Sequence, residues 1–297
     1  MSAPFNIRSA FFGALHLSGL PFLLRHTVQR NRVTILMFHD PTAESAKRQL
    51  RALARRYNII SLDQCLEALK GGFDQLPSRP LVVTYDDGFS RNHELLDLFK
   101  SLGIRPTIFV CSGIVGTRRR FWFTVPMDGA AKQRLKSLTD EERLRELEKL
   151  GYRDSAELPQ AQALSAEEIS QMEGVVEFGS HTISHPVLPR CTEEKAWKEI
   201  ADSKRSLEQQ FGFGVSSFAY PNGDATERDE QFVKKAGYRC ALTTKEGLVD
   251  RSSDPYRLPR LAVNDNGSVS EAIVSASGLW AVLRPILKTV ASVARRS

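Results

Sequence analysis

The chain of 297 residues has only four cysteines, Cys65, Cys111, Cys191 and Cys240, and they are too widely scattered to form a CxxC pair. That excludes a disulfide framework and a zinc knuckle and leaves reduced structural thiols, as expected of a cytosolic protein. Long hydrophobic runs are missing too. The first thirty residues contain Phe11, Phe12, Leu15, Leu17, Leu20, Phe22, Leu23 and Leu24, but Arg8, His16, Arg25, His26 and Arg30 punctuate them and Pro21 interrupts the longest run. No basic start leads into an unbroken apolar core with a small-residue cleavage site, so this stretch does not read as an export signal, and it is too short and interrupted to span a bilayer. Nor is there a large excess of one charge. Lys and Arg number 41 against 35 Asp and Glu, a formal +6 concentrated at the two ends, which is not the footprint of a nucleic-acid-binding protein. Internal repeats and low-complexity linkers are absent.

What is present is a 41% hydrophobic chain, long enough for one large α/β domain with a core of its own. From Arg32 onward strand-like runs alternate with helical patterns. Val33 to Phe38, Ile59 to Ser61, Leu81 to Tyr85, Thr107 to Val110, Val175 to Phe178, Val215 to Ala219, Cys240 to Thr243 and Arg260 to Val263 read as strands. Helices are expected over Ala46 to Tyr57, up to Leu69, over Arg91 to Ser101, Glu193 to Phe211 and Asp229 to Ala236. This βα rhythm predicts a parallel sheet, closed or nearly closed into a distorted (β/α) barrel. A charged stretch, 118–162, breaks the rhythm and reads as a helical insert over the barrel mouth, opening with Phe121, Trp122 and Phe123. The expected organisation is an amphipathic extension over 1–31, the barrel over 32–265, and a basic amphipathic helix over 266–297 that includes Leu279 to Val290 and ends in Arg295 and Arg296. Both ends fit two readings: helices packed on the barrel, or helices lying on an anionic membrane surface at its inner face.

The residues able to do chemistry fall at strand ends, the face where parallel barrels assemble their sites. Asp86 and Asp87 end the run Leu81 to Tyr85, and Gly88 then allows a sharp turn. Alternation along extended backbone points the two carboxylates apart, so one can bind a cation while the other stays free as a base. His181 and His185, spaced i and i+4, would present both imidazoles on one face of a helical turn, as a shared cation requires. His39 ends the first strand, and Tyr220, Pro221 and Asn222 follow the strand through Ala219.

Thr84-Tyr85-Asp86-Asp87-Gly88 resembles the first motif of the NodB-homology polysaccharide deacetylases, and His181-Thr182-Ile183-Ser184-His185-Pro186 is similar to their second. Phe218-Ala219-Tyr220-Pro221-Asn222-Gly223 looks like a variant of the third, and the resemblance runs from Val33 to Val263. It implies a hydrolase that removes the N-acetyl group of an amino sugar in a glycan or glycolipid. The resemblance makes Asp87, His181 and His185 the ligands of a divalent cation, zinc first, with cobalt, nickel or manganese as other options. It makes Asp86 the general base and the N–H of Asn222 an oxyanion donor, and it places Tyr220 and Pro221 against the substrate.

Two departures from the family pattern matter. The late Leu-x-His motif is missing, since that segment reads Arg257-Leu258-Pro259-Arg260-Leu261. His39, similar to the early histidine of the relatives that act on bacterial poly-N-acetylglucosamine, is then the candidate general acid, or else a residue that pins its loop. Ala219 stands where many relatives carry an arginine that orients the base. Arg260 is the candidate replacement, able to grip a carboxylate with two parallel hydrogen bonds, or else forms an ordinary surface ion pair. Trp122, with Phe121 and Phe123, offers a stacking platform for a pyranose ring or an anchor for the insert. Deformylation, hydrolysis of another small amide, and catalytically silent sugar binding stay open as alternatives; the oligomeric state is not readable.

Overall fold

Eight strands, all parallel, build the sheet seen in a computed structural model, which describes residues 7–294. They are β1 (Thr34–Phe38), β2 (Asn58–Ile59), β3 (Pro80–Tyr85), β4 (Thr107–Val110), β5 (Glu177–Ser180), β6 (Ser217–Ala219), β7 (Cys240–Leu242) and β8 (Leu261–Ala262). The order is β7-β6-β5-β4-β3-β1-β8, with β2 pairing β3 beside this path. The curl is completed by one irregular stretch. Leu258 bridges Leu242 of β7, and Leu261 and Ala262, a few residues on, pair with Leu36 and Met37 of β1. The nearly closed barrel read from the sequence is therefore what forms, with a seam in place of a regular last strand.

Every residue of β1, β3 and β4 is buried, because helices cover the sheet outside and side chains fill it inside. That double burial is why these strands read as continuous apolar runs. Register then positions the chemistry. Phe38 pairs with Tyr85, so the next residues, His39 and Asp86, emerge side by side, and the Asp86 N–H donates to the Phe38 carbonyl at 2.9 Å. Likewise Val110 pairs with Ser180, which delivers His181 beside Cys111.

Several boundaries differ from the sequence reading. The strand expected at Val175 to Phe178 runs instead over Glu177–Ser180. Small residues hid it: a Cβ at Gly179 would lie 2.5 Å from the Phe109 ring, so glycine is what lets β5 pass there. The helix expected from Arg91 is a 3₁₀ turn, Ser90–Leu95, followed by a short α-helix, Leu96–Leu102. The insert holds helices Gly129–Ser137 and Asp140–Lys149, with a small core of its own in which Trp122, Leu135, Leu147 and Tyr152 meet Val187.

Helices Ile7–Leu17 and Leu20–His26 precede the barrel; Val269–Ala276 and Leu279–Ala294 follow it. The C-terminal segment is thus two helices rather than one, broken at Gly278, whose φ of 77° is left-handed. The first and last helices touch: the Trp280 ring lies edge-on to Phe12 at 5.0 Å, and Phe12 packs on Val274 and Leu279. The basic Arg295 and Arg296 lie outside the described residues.

Candidate active site

Among the described residues five non-glycine residues adopt positive φ, and four of them, Asp87 (72°), Thr182 (71°), His185 (58°) and Asn222 (57°), belong to the loops singled out above. Left-handed backbone costs non-glycine residues energy and persists only where the surroundings impose it. Its concentration in three loops shows where this fold spends stability on geometry.

Asp87 and Gly88 are left-handed in succession, so the chain reverses at once after β3 and the two carboxylates part. His181 and His185 do not lie on a helical turn, contrary to the sequence expectation. They flank an irregular loop after β5 in which the left-handed Thr182 and His185 fold the chain back, bringing the ring centroids to 4.8 Å. The loop is held from below by a residue the sequence reading missed. Glu199, 1% exposed on helix Glu193–Phe211, accepts the N–H groups of Ile183 and Ser184 at 2.8 and 2.9 Å and the Ser184 hydroxyl at 2.7 Å. A lone glutamate among the many charges of that helix carries no short-range signal.

The result is a cluster of Asp87, His181 and His185, all buried, whose ligand atoms lie within 4.8 Å of one another. His181 Nε2 and His185 Nε2 stand 3.6 and 3.4 Å from Asp87 Oδ1. Those gaps are long for hydrogen bonds. They are the spacing expected between ligands of one cation, about 3.4 Å for metal–ligand distances of about 2.0–2.2 Å at a tetrahedral angle. Asp87 Oδ1 is buried without a hydrogen-bond partner, an arrangement costly unless something charged completes it. The Nδ1 of His181 lies 2.7 Å from the Ala219 carbonyl, which can only accept, so that nitrogen carries the proton and Nε2 offers its lone pair to the gap. Burial holds the His181 imidazole down to about 4 and His185 well below its ordinary value, while it pushes Asp87 up to about 7. Near neutral pH both rings are therefore neutral ligands. A cation must displace the proton held by Asp87, so binding should weaken as the pH falls below 7. The donor set fits a divalent, borderline-soft metal.

Asp86 sits apart from this gap. Arg260, 1% exposed, donates from Nη1 to Asp86 Oδ1 at 2.7 Å and from Nη2 to Oδ2 at 2.8 Å, a bidentate grip. The guanidinium is itself fixed by the Thr243 carbonyl and the Thr84 hydroxyl. Arg260 is thus a buried partner of Asp86, not a surface ion pair. Burial alone would raise Asp86, but Arg260, with His181 and His39 nearby, overrides it and holds the carboxyl well below the usual range. Asp86 stays ionised at any working pH.

His39 is half-buried, and its imidazole is close enough for its field to act on both Asp86 and Asp87. Its backbone is clamped: the N–H groups of His39 and Asp40 donate to the Asp265 carboxylate at 2.9 and 3.1 Å, and Asn92 donates to the His39 carbonyl. Since these bonds pin the loop without using the ring, the imidazole remains available. The sequence reading also missed Asp265, although its place just after β8, at the same barrel face, is the signal that could have found it.

Asn222 lies in the 3₁₀ turn Pro221–Gly223, where Gly223 and Asp224 spend their N–H groups on the carbonyls of Tyr220 and Pro221. The Asn222 N–H has no acceptor within that turn. A Cβ at Gly223, at φ 75°, would fall 2.0 Å from Thr244 Oγ1, so only glycine lets the turn approach the Thr244 loop.

Three expected substrate contacts need correction. The Tyr220 side chain is wholly buried, packed edge-on to Phe218, with its hydroxyl donating to the Tyr256 carbonyl. Pro221 is buried and serves to fix the turn. Trp122, 2% exposed, lies under the Arg143 guanidinium and donates its indole N–H to the His185 carbonyl at 2.7 Å. It anchors the insert to the histidine loop. The aromatic that borders the site is Phe123, partly exposed, with its ring 4.6 Å from that of His185.

The model of the polysaccharide deacetylase family matches residues 74–241. A putative polysaccharide deacetylase of Bacillus subtilis, YxkH, is 25% identical over 199 residues, 66% of this chain and 56% of that protein. The poly-β-1,6-N-acetyl-D-glucosamine N-deacetylase of Staphylococcus aureus is 26% identical over 113 residues, 35% of this chain and 39% of that one. The chain thus spans about half the length, or less, of these relatives. Among solved structures, the Streptococcus pyogenes deacetylase PplD in complex with acetate superposes with a TM-score of 0.62 at 19% identity, over 83% of this chain and 99% of that one. IcaB from Ammonifex degensii gives 0.61 at 19%, over 84% and 98%. At these identities the superpositions show the fold.

Proposed function

The chain belongs to the polysaccharide deacetylase family, and from that premise we propose that it hydrolyses the N-acetyl amide of an N-acetylhexosamine in a glycan or glycolipid. The observation that carries this reading is the cation-sized gap bounded by Asp87, His181 and His185 beside a second carboxylate locked in its ionised form by Arg260. A relative named for acting on poly-β-1,6-N-acetyl-D-glucosamine supports an N-acetylglucosamine polymer as the substrate.

A divalent cation bound at the three ligands, zinc in our reading, supplies Lewis acidity towards the acyl oxygen and towards water. The chain's own groups then divide the proton traffic. Asp86 takes a proton from the attacking water as its oxygen bonds to the acyl carbon, and Arg260 keeps that carboxylate aimed while it does so. The N–H of Asn222 donates to the oxyanion that develops. The carbon–nitrogen bond then breaks, and His39 gives the sugar nitrogen its proton. Phe123, next to His185, is the side chain placed to touch the sugar.

Acetate release from N-acetylglucosamine oligomers tests the reading. Chelated protein should be inactive and regain turnover when zinc is added back. Formate release from an N-formyl sugar, without acetate release, would replace deacetylation by deformylation; sugar binding without turnover at any metal concentration would make the protein a binding module. The acid role of His39 has its own check. His39→Ala should slow amide cleavage by about 10²-fold or more while sparing an activated acetyl ester, whose leaving group needs no proton. Equal losses on both substrates would remove His39 from that role.

A further inference from the structure

Among the described residues eleven large hydrophobic side chains are exposed, and all but Leu150 lie in the two terminal segments. On helix Ile7–Leu17 they form a stripe, Ile7, Phe11 and Leu17, with Ile7 77% and Leu17 86% exposed. Leu20, Phe22 and Leu23 are exposed on helix Leu20–His26, and Val282 and Ile286, one turn apart, form a second stripe on helix Leu279–Ala294. The opposite faces of these helices pack on helix Val269–Ala276 and on one another. Phe12 packs on Val274 and Leu279, and the Arg8 guanidinium meets the buried Glu271 at 2.5 Å. Their apolar inner face is satisfied, and a second apolar face is turned out.

Charge says what that outer face suits. Residues 1–39 and 272–297 contain eight Lys and Arg and no Asp or Glu, whereas all 35 acidic residues lie in 40–271, against 33 basic ones. A second copy of this chain would oppose two segments of the same net positive charge, even though Arg8, Arg32 and Arg284 are paired with Glu271, Asp250 and Glu246 from outside those segments. No single helix among the described residues is long and apolar enough to cross a membrane; the first two pass that test only when taken together, and they are bent by 51° at the break. Short amphipathic helices, apolar on the outer face and set in segments of net positive charge, suit an interface.

We propose that the two terminal segments together form a docking surface for an anionic lipid bilayer, with the apolar stripes entering the headgroup boundary and the basic residues at the phosphates. The surface needs no reaction at the barrel mouth, so it stands or falls separately from the catalytic reading.

Flotation of the full-length protein with vesicles tests it. The protein should float with vesicles of phosphatidylcholine containing phosphatidylglycerol, float poorly with phosphatidylcholine alone, and be released by high salt. Arg30→Gln, an exposed residue, should weaken partitioning about fivefold. The combined Leu17→Ser, Leu23→Ser, Val282→Ser and Ile286→Ser variant should no longer float. Its unfolding midpoint should stay unchanged, since these side chains are exposed. Failure of the native protein to float with either vesicle, or flotation of the combined variant as well as the native chain, would overturn the proposal. A native dimer that this variant reduces to a monomer would assign the surface to a second copy instead.

Discussion

Asp86→Asn is expected to stop turnover while leaving the cation in place, and Asp87→Ala to lose both. The two carboxylates are neighbours in sequence but not in environment. Both oxygens of Asp86 are taken by Arg260, and none of the paired distances around the cation gap involves them. Asp87 Oδ1, by contrast, faces both imidazoles and has no other partner. Asparagine at position 86 cannot take a proton from water, and loss of a general base costs about 10²–10⁴-fold. Removing one of three ligands from a buried site should cost more, because two neutral histidines alone cannot balance a divalent charge. Zinc titration by calorimetry with turnover on the same samples checks this. Equal metal loss in the two variants would end the division of roles.

Arg260→Gln carries the second large effect, on stability and on the pH profile together. Asp86 is held below its ordinary value, so its contribution to stability is present above the unfolded value of about 3.8 and is lost only as the pH falls through the folded value. Without the guanidinium, burial becomes the dominant influence and the carboxyl rises. Breaking a buried pair from one side costs about 3–5 kcal/mol, since the remaining charge is unpaired. The acid limb of the activity profile should then move to higher pH, and the unfolding midpoint should drop most at neutral pH, where Asp86 would otherwise be charged. Should the variant be too unstable at ordinary temperature, the pH profile can be taken in the cold on the folded fraction. An acid limb identical to that of the native protein would mean that Asp86 does not titrate in the rate.

The ligand set was legible because its motifs are short and lie at strand ends, where a run of buried apolar residues gives way to polar ones. Arg260 was legible for a related reason: one arginine late in the chain stood where the last strand had to return to the mouth. The route by which His181 and His185 meet was not legible. A spacing of four suits a helical turn, and only the left-handed Thr182 and His185, imposed by Glu199 sixteen residues from Ile183, show that a loop does the work. Long-range carboxylates such as Glu199 and Asp265 leave no local pattern, because their partners are backbone N–H groups that any sequence supplies. The aromatic cluster was read in the right place with the wrong member forward. Trp122 is the larger ring, but its indole N–H finds the His185 carbonyl and takes it inside, leaving Phe123 at the edge. Tyr220 was drawn in by the same polar need, met at the Tyr256 carbonyl.

The central claim is that one cation sits among Asp87, His181 and His185. Crystals grown with zinc and measured on both sides of its absorption edge test this most directly. The expected result is a single anomalous peak within bonding distance of Asp87 Oδ1 and the two Nε2 atoms, absent in Asp87→Ala. A protein that releases acetate but shows no peak there, or shows it elsewhere, would contradict the account.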